Sequence, residues 1–196
     1  MVGVDDTSPT LSAVLGNPNP NGEIPALEDG PFRLTECSAI LKYLAERAGS
    51  AAYPAEPRAR ARVNALMDWF NTGFYRDYGY GVVYPQIYPH HKRPTDEIQK
   101  GTIEWGKGLT RKWLSVLNDH WLGHGNKYLA GDTMTIADIF GAGLLTCGHV
   151  IRDEFKDYPN IEAWLKRMAA LPNWDKVNEA MEGFRNYVKD QPFVNI

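Results

Sequence analysis

Along most of the chain, apolar residues recur every three or four positions, which is the spacing of one face of an α-helix. Beyond residue 57 this period predicts helices over Val63–Phe74, from about Thr95 to Trp121, over Thr135–Arg152, after Pro159 and after Pro172. The residues that the pattern turns inward are Val63, Leu66, Met67, Phe70, Phe74, Ile98, Trp105, Leu109, Val116, Leu117, Ile161, Trp164, Leu165, Met168, Val177, Met181 and Phe184.

The front of the chain has the turn residues and short apolar runs of a β-hairpin followed by a helix. We predict a strand over Glu23–Leu27, a turn over Glu28–Pro31 and a return strand over Phe32–Leu34. A helical period begins at Thr35 and ends at Gly49, since glycine often follows the last turn of a helix. Such a unit is too small to hold a core of its own.

Between these two patterns, Ser50–Pro57 carries two prolines and predicts a linker. The expected fold class is mostly α, with a partial mixed α/β domain over residues 1–50 and an all-helical domain over residues 58–196. Gly79, Gly81, Pro85 and Pro89 are expected to break the helical pattern in the second domain.

Composition limits the classes of function. The net charge of −3 argues against nucleic acid or an anionic membrane surface as a partner. The longest apolar stretch, Ile139–Ile151, has 13 residues, fewer than the roughly 20 that span a bilayer. The acidic N-terminus lacks the basic residues of a signal peptide. With two cysteines, Cys37 and Cys147, a disulfide framework is not expected, and we predict a cytoplasmic protein.

The basic run His90–Arg93 is expected to be a solvated loop. Adjacent histidines point in different directions on any regular element, so we predict no metal site there.

A capping box is predicted at Thr135–Asp138, where a hydroxyl residue at the N-cap is followed three positions later by an acid. The helix behind it is apolar on almost every side, so we expect it to be the buried central helix of a bundle. This motif identifies a fold and carries no chemistry.

Three stretches together resemble the cytosolic glutathione S-transferase family: Asn19–Gly30, Leu34–Leu44 and Tyr128–Asp138. The resemblance implies a thioredoxin-like N-terminal domain, here shortened and incomplete, followed by the family's helical bundle. It also implies that glutathione is the co-substrate, that a small electrophile accepts its thiolate, and that the protein is a homodimer with a role in detoxification.

The resemblance also implies a glutathione site. The family has a cis peptide before the residue that matches Pro25, and the backbone of Ile24 would then pair with the cysteinyl part of glutathione. Glu36 and Cys37 begin a helix, whose free amide groups would hold the γ-glutamyl carboxylate while Glu36 receives the ammonium group. Cys37 stands where the family usually has serine, and a thiol is a weaker donor, so Ser38 is a possible replacement.

Cys37 suggests one more hypothesis. A thiol at a helix N-terminus tends to ionise more easily, although Glu36 opposes this. Held beside bound glutathione disulfide, Cys37 would then form a mixed disulfide and release one reduced glutathione.

The catalytic residue is not assigned, because the family's hydroxyl or thiol lies near the start of its first helix and two alignments are possible there. In the first, Val2–Asp5 matches the family's second strand and Ser8 opens its second helix, so the catalytic residue is absent. In the second, Thr7–Thr10 is the catalytic turn, and Ser8 or Ser12 supplies the hydroxyl. We favour the first, because Ser-Pro before Asn-Pro-Asn-Gly fits the position of the second helix.

A tract rich in tyrosine follows the first helix of the second domain, and resemblance places it at the mouth of the electrophile site. Aromatic walls with hydroxyl tips suit flat apolar substrates. We select Tyr75 and Tyr78, with Arg76 nearby, as substrate contacts and expect most of the other rings to pack. The leading hypothesis is a glutathione transferase, and the alternative is a non-catalytic binding or regulatory protein of the same fold.

Overall fold

The computed structural model describes residues 19–196, which belong to two compact units, divided between Tyr53 and Pro54. In the described part of unit 1, strands β1 (Ala26–Asp29) and β2 (Phe32–Thr35) pair antiparallel and are followed by helix α1 (Cys37–Arg47). The hairpin is confirmed, but β1 starts three residues later than predicted. It follows Pro25, which has no N–H group to donate to a strand ladder.

The turn of the hairpin is shorter than predicted, because Asp29 still pairs with Phe32. Only Gly30 and Pro31 connect the strands, and Gly30 has a φ of +59°, a left-handed conformation that glycine adopts readily.

The Asp29 carboxylate and the Phe32 ring of the hairpin contact helix α1. The Tyr43 hydroxyl donates to Oδ2 of Asp29 over 2.5 Å, and Arg47 forms an ion pair with the same carboxylate. The rings of Tyr43 and Phe32 lie 5.1 Å apart between centroids. These contacts hold the C-terminal half of α1 against the strands, although the described sheet has only two strands.

Unit 2 is helical. Its α-helices are α2 (Pro57–Asp68), α3 (Tyr75–Tyr78), α4 (Tyr84–Ile87), α5 (Asp96–Val116), α6 (Ile136–Thr146), α7 (Pro159–Ala169) and α8 (Trp174–Tyr187). Its π-helical turns are Trp69–Phe74, Gly79–Val83 and Leu117–Trp121, and its 3₁₀ turns are Pro89–His91 and Cys147–Ile151. None of the helices within residues 19–196 is long and apolar enough to cross a membrane.

The helical stretch that begins at Pro57 continues to Ile87, so the predicted break is wrong at Gly79, Gly81 and Pro85 and confirmed at Pro89. The π-helical turn Gly79–Val83 accommodates both glycines, and the missing N–H group of Pro85 is tolerated at the start of α4. Gly81 lies where α5 crosses closely, because a Cβ atom on the opposing Gly106 would meet the Gly81 backbone at 2.9 Å.

The length of α5 is confirmed, but its predicted inward face is wrong for Ile98, Trp105 and Val116, which are exposed. The buried stripe instead consists of Ile103, Gly106, Thr110, Leu114 and Leu117. Small residues at the centre of this stripe, Gly106 and Thr110, let the helices approach each other. A prediction from the spacing of large apolar residues does not detect such positions.

Helix α8 is also confirmed as an element, yet none of its residues is buried and Val177 is 75% exposed. It therefore lies on the surface of the bundle.

A buried carboxylate, that of Asp138, organises the centre of unit 2. Its Oδ2 accepts from the Thr135 N–H (2.8 Å) and hydroxyl (3.0 Å), which confirms the capping box. Its Oδ1 accepts from the Leu129 N–H at 2.9 Å and the Trp164 indole N–H at 3.0 Å. Burial nevertheless raises the pKa of Asp138 above its usual value, although these hydrogen bonds act to lower it.

We expect the substitution Asp138→Asn to lower the free energy of unfolding by about 2–4 kcal/mol. In either orientation of the asparagine side chain, its NH₂ group replaces an oxygen that accepts two hydrogen bonds. Two donors then lose their acceptor. Urea unfolding followed by circular dichroism measures this loss. Asp157→Asn on the exposed surface is the matched control and should change stability by less than about 0.5 kcal/mol; equal losses in both variants would contradict the assignment.

Candidate functional site

Two predicted ligand residues precede β1. The Ile24–Pro25 peptide is cis, as predicted. Ile24 is 88% exposed and belongs to no strand, so its backbone N–H and C=O lie outside the β1–β2 ladder. An extended peptide can pair with such a backbone segment.

The other two predicted residues lie at the start of α1. Glu36 is the N-cap and has a φ of +69°, a conformation that costs free energy in a residue other than glycine. Its side chain does not cap the helix. The first amide groups of α1, those of Cys37, Ser38 and Ala39, therefore have no capping side chain and can receive a carboxylate.

Two effects oppose ionisation of the Cys37 thiol, and its mixed disulfide with glutathione stays a prediction. Burial raises its pKa above the ordinary value, and the negative charge of Glu36 raises it further. Both effects act against the easier ionisation that a helix N-terminus favours, and the protonated thiol can act as a weak hydrogen-bond donor.

Tyr75 belongs to a cluster of half-buried phenols in unit 2. Its hydroxyl contacts the hydroxyl of Tyr84 and interacts with the Cys147 thiol. Tyr84 in turn packs edge-on against Tyr80 and Tyr88, with centroids about 5 Å apart. Burial raises the pKa of Tyr75 and Tyr84, so both are neutral hydroxyl groups. The cluster offers an aromatic surface with uncharged donors and acceptors.

Tyr78, the second predicted substrate contact, is fully buried. Its hydroxyl donates to Oδ2 of Asp153 over 2.9 Å, and a Cβ atom on Gly148 would overlap that hydroxyl. This placement gives Tyr78 a role in packing rather than in contact with a substrate.

Arg76 lies between these tyrosines in sequence and is anchored by its neighbour. Its guanidinium donates to both oxygens of the buried Asp77 at 2.8 and 3.0 Å, while its side chain stays 63% exposed. Asp77 also accepts from the Trp113 indole N–H at 2.7 Å. Burial opposes ionisation of Asp77, but these donors keep its pKa below the ordinary value. Asp77 thus fixes the position of the Arg76 guanidinium, which remains exposed to solvent.

Sequence reasoning missed the polar partners Asp77, Trp113 and Asp153. The hydrogen bonds that define them join residues 36 and 75 positions apart, and no local motif marks such pairs. The crowding of tyrosines was the only signal for this part of unit 2.

The remaining predictions concern the catalytic hydroxyl and the two adjacent histidines. Ser8 and Ser12, the candidate catalytic hydroxyls, lie outside the described residues. Within residues 19–196, no group of three or more His, Cys, Asp or Glu side chains is arranged to hold a metal ion. His90 and His91 stack with Tyr88 and Tyr84 instead.

Comparison with known proteins identifies the family. The model of the "Glutathione S-transferase, N-terminal domain" matches residues 4–46, and that of the "Glutathione S-transferase, C-terminal domain" matches residues 81–172. Glutathione S-transferase T1 of Arabidopsis thaliana is 30% identical over 190 residues, which cover 89% of this chain and 76% of that protein. The chain belongs to the glutathione S-transferase family.

Other relatives agree. Glutathione S-transferase T3 of Arabidopsis thaliana is 30% identical over 87% of this chain, but the chain spans only 30% of that protein's length. The glutathione-bound theta class glutathione S-transferase of Xanthomonas axonopodis pv. citri superposes with a TM-score of 0.71 at 25% identity, covering 88% of this chain and 78% of that structure. The mostly α fold, with a thioredoxin-like front and a helical bundle, is therefore confirmed.

The buried Asp153 generates a pH-dependent prediction. Burial raises its pKa from 3.8 to about 6, although Tyr78 and the Ile196 N–H donate to it. The native state therefore binds this proton more tightly than the unfolded chain. The stabilisation is fully present below about pH 4 and is lost as the pH rises through about 6.

We expect the stability difference between the wild-type chain and Asp153→Asn to change by about 2–3 kcal/mol between pH 4 and pH 7. Urea unfolding of both proteins at the two pH values measures it. An identical pH dependence in both would show that Asp153 does not titrate in this way.

Proposed function

We propose that the chain binds reduced glutathione through unit 1 and conjugates its thiolate to a small electrophile. The observation that carries the proposal is the pairing, within one small unit, of an exposed backbone at Ile24 with an uncapped helix N-terminus at Cys37. The glutathione bound to the solved theta class relative supports the choice of ligand.

Each part of the tripeptide has a partner of matching chemistry. The cysteinyl backbone pairs with the N–H and C=O of Ile24, with Pro25 holding that segment. The γ-glutamyl carboxylate accepts from the amide groups of Cys37 and Ser38, and its ammonium group lies against the Glu36 carboxylate. The strained backbone of Glu36 supports this assignment, because such strain persists where a site requires it.

The reaction is a nucleophilic substitution or addition at the electrophilic centre. The glutathione sulfur forms the new C–S bond, and the leaving group, if there is one, departs with the electron pair of the broken bond. A free thiol with a pKa near 8.5 is only about 3% ionised at pH 7, so full ionisation contributes at most about thirty-fold. Holding the electrophile close supplies the remainder. Ser8 supplies the hydroxyl that stabilises the thiolate only under the second alignment, in which Thr7–Thr10 is the catalytic turn.

Tyr75 and Arg76 are our candidates for contacts to the electrophile. The Tyr75 ring and its neutral hydroxyl suit a flat apolar compound, and the exposed guanidinium of Arg76 suits a developing negative charge.

Calorimetric titration of the full chain with reduced glutathione tests the proposal. We expect saturable binding between micromolar and low millimolar affinity, and roughly ten-fold weaker binding by Glu36→Ala, because a charge-assisted contact is lost. Cys37→Ser should bind about two- to five-fold more tightly, because a hydroxyl is the stronger donor.

Glu46→Ala, which removes an acid from the last turn of α1, is the matched control and should bind like the wild type. No binding by a folded wild-type chain would refute glutathione as the ligand. It would favour the second candidate, a non-catalytic member of the family that binds a protein partner, for which the surface described next provides the contact area.

We further propose that the protein is a cytoplasmic homodimer. Helix α5 carries an apolar stripe in which Ile98, Trp105, Leu109 and Val116 are spaced by seven, four and seven residues on one face. Trp105 is 63% exposed, and Ile98 and Val116 are exposed as well. A large exposed apolar stripe favours a protein contact, and a second copy of the same helix presents a complementary surface.

We expect Trp105→Glu to convert the dimer to a monomer, because a charge in the centre of an apolar contact must be desolvated. Light scattering after gel filtration measures the change in mass. Val177→Glu, at a similarly exposed apolar residue on α8, should leave the assembly intact. A monomeric wild-type chain, or equal effects of both substitutions, would contradict this use of the stripe.

A further inference from the structure

The turn Asn19–Gly22 lies directly before the Ile24 segment of unit 1 and has the residue preferences of a type I β-turn. Asparagine stands first, proline second and glycine fourth. The Gly22 N–H donates to the Asn19 carbonyl oxygen at 2.9 Å, which closes the turn. The chain therefore reverses direction shortly before Ile24, whose backbone pairs with the cysteinyl part of glutathione in the proposed function.

The Asn19 side chain is buried, with 7% of its surface exposed, and it spans this turn. Its Oδ1 accepts from the Asn21 N–H at 2.9 Å. Its Nδ2 donates to the Glu23 carbonyl oxygen at 3.0 Å. One buried side chain thus fixes both the middle of the turn and the residue that precedes Ile24.

The bond to Glu23 distinguishes asparagine from aspartate at position 19. Both residues are favoured at the first position of such a turn, and both accept from the backbone N–H two residues further on. Only an amide side chain can also donate, and a carbonyl oxygen can only accept. The turn alone is therefore satisfied by either residue, whereas the contact with Glu23 requires asparagine.

This contact determines the direction of the Ile24 N–H, because the Glu23 C=O and the Ile24 N–H belong to the same peptide group. That peptide is trans and planar, so its N–H and C=O point in opposite directions. Asn19 holds the C=O toward its own buried side chain, and the N–H is directed away from it. Among residues 19–196, no residue accepts a hydrogen bond from this N–H.

We propose that Asn19 is a positioning residue for glutathione, which aims the Ile24 N–H at the cysteinyl carbonyl oxygen without touching the ligand. This inference rests on the proposed function and adds a residue to the same site. The glutathione sulfur belongs to the residue that pairs with Ile24, so a tilt of the Glu23–Ile24 peptide displaces the thiol. A misplacement of about 1 Å can slow a reaction about 100-fold.

Calorimetric titration of Asn19→Asp with reduced glutathione tests the proposal. The carboxylate still accepts from the Asn21 N–H, but it cannot donate to the Glu23 carbonyl oxygen and is repelled by it. We expect roughly three- to ten-fold weaker binding, with a fold unchanged by circular dichroism. Asn21→Asp is the matched control, because it adds the same charge at an exposed position two residues away, and it should bind like the wild type.

Asn19→Ser separates the lost donor from the added charge. A serine hydroxyl can accept from the Asn21 N–H as in an ST-turn, but it is too short to reach the Glu23 carbonyl oxygen. We expect the same loss of affinity as in Asn19→Asp.

The amide resonance of Ile24 distinguishes positioning from a general effect on stability. In two-dimensional ¹H–¹⁵N spectra of the wild type, the Ile24 proton should move downfield as glutathione is added, because it begins to donate to a carbonyl oxygen. At saturation in Asn19→Asp this shift should be reduced, while the amide groups of Cys37 and Ser38 still respond as in the wild type.

The role of Asn19 is overturned if Asn19→Asp or Asn19→Ser binds glutathione like the wild type, if Asn19→Asp and Asn21→Asp lose affinity equally, or if the Ile24 shift is unchanged in Asn19→Asp. In each of these cases the glutathione site itself still stands. A folded wild-type chain that does not bind glutathione refutes the proposed function, and the role of Asn19 falls with it.

Discussion

The carboxylate of Asp138 is the interaction on which unit 2 depends. Burying an ionised group is unfavourable unless nearly every lone pair receives a donor, and here four donors converge on two oxygens. They come from the loop before α6, from the N-cap of α6 and from α7. One side chain therefore determines where the central helix begins, where the preceding loop closes and where the next helix packs.

The aromatic packing of α2 to α5 is built around this central helix. Phe70 lies against the backbone of Gly141, where no Cβ atom would fit, so the first helical stretch and α6 approach each other closely. Farther along, Tyr78 approaches Gly148 in the same way and brings its hydroxyl to Asp153. Glycines on one side and large rings on the other thus set the spacing of the bundle.

Much of this architecture follows from local pattern, and the exceptions have physical causes. Thr135 and Asp138 marked the start of α6, and Val63 to Phe74 marked a buried face, because capping and helical periodicity act over a few residues. The face of α5 was misjudged because Gly106 and Thr110 make its closest contacts, and small residues do not stand out by apolarity.

The residues of the candidate sites also fall into two groups, those that a local motif predicts and those that depend on tertiary packing. Ile24, Pro25, Glu36 and Cys37 follow from a contiguous motif, whereas the pairing of Asp77 with Trp113 depends on the crossing of two distant helices. Side-chain pairs of that kind become visible only when the packing is known.

The two π-helical turns in the first helical stretch have a consequence for its evolution. A π turn accommodates one residue more than an α turn. Each one rotates everything that follows it about the helix axis. Tyr75 and Tyr84 each follow such a turn directly, so the gain or loss of one residue near Gly73 or Gly81 would turn the rings that follow it without replacing any of them.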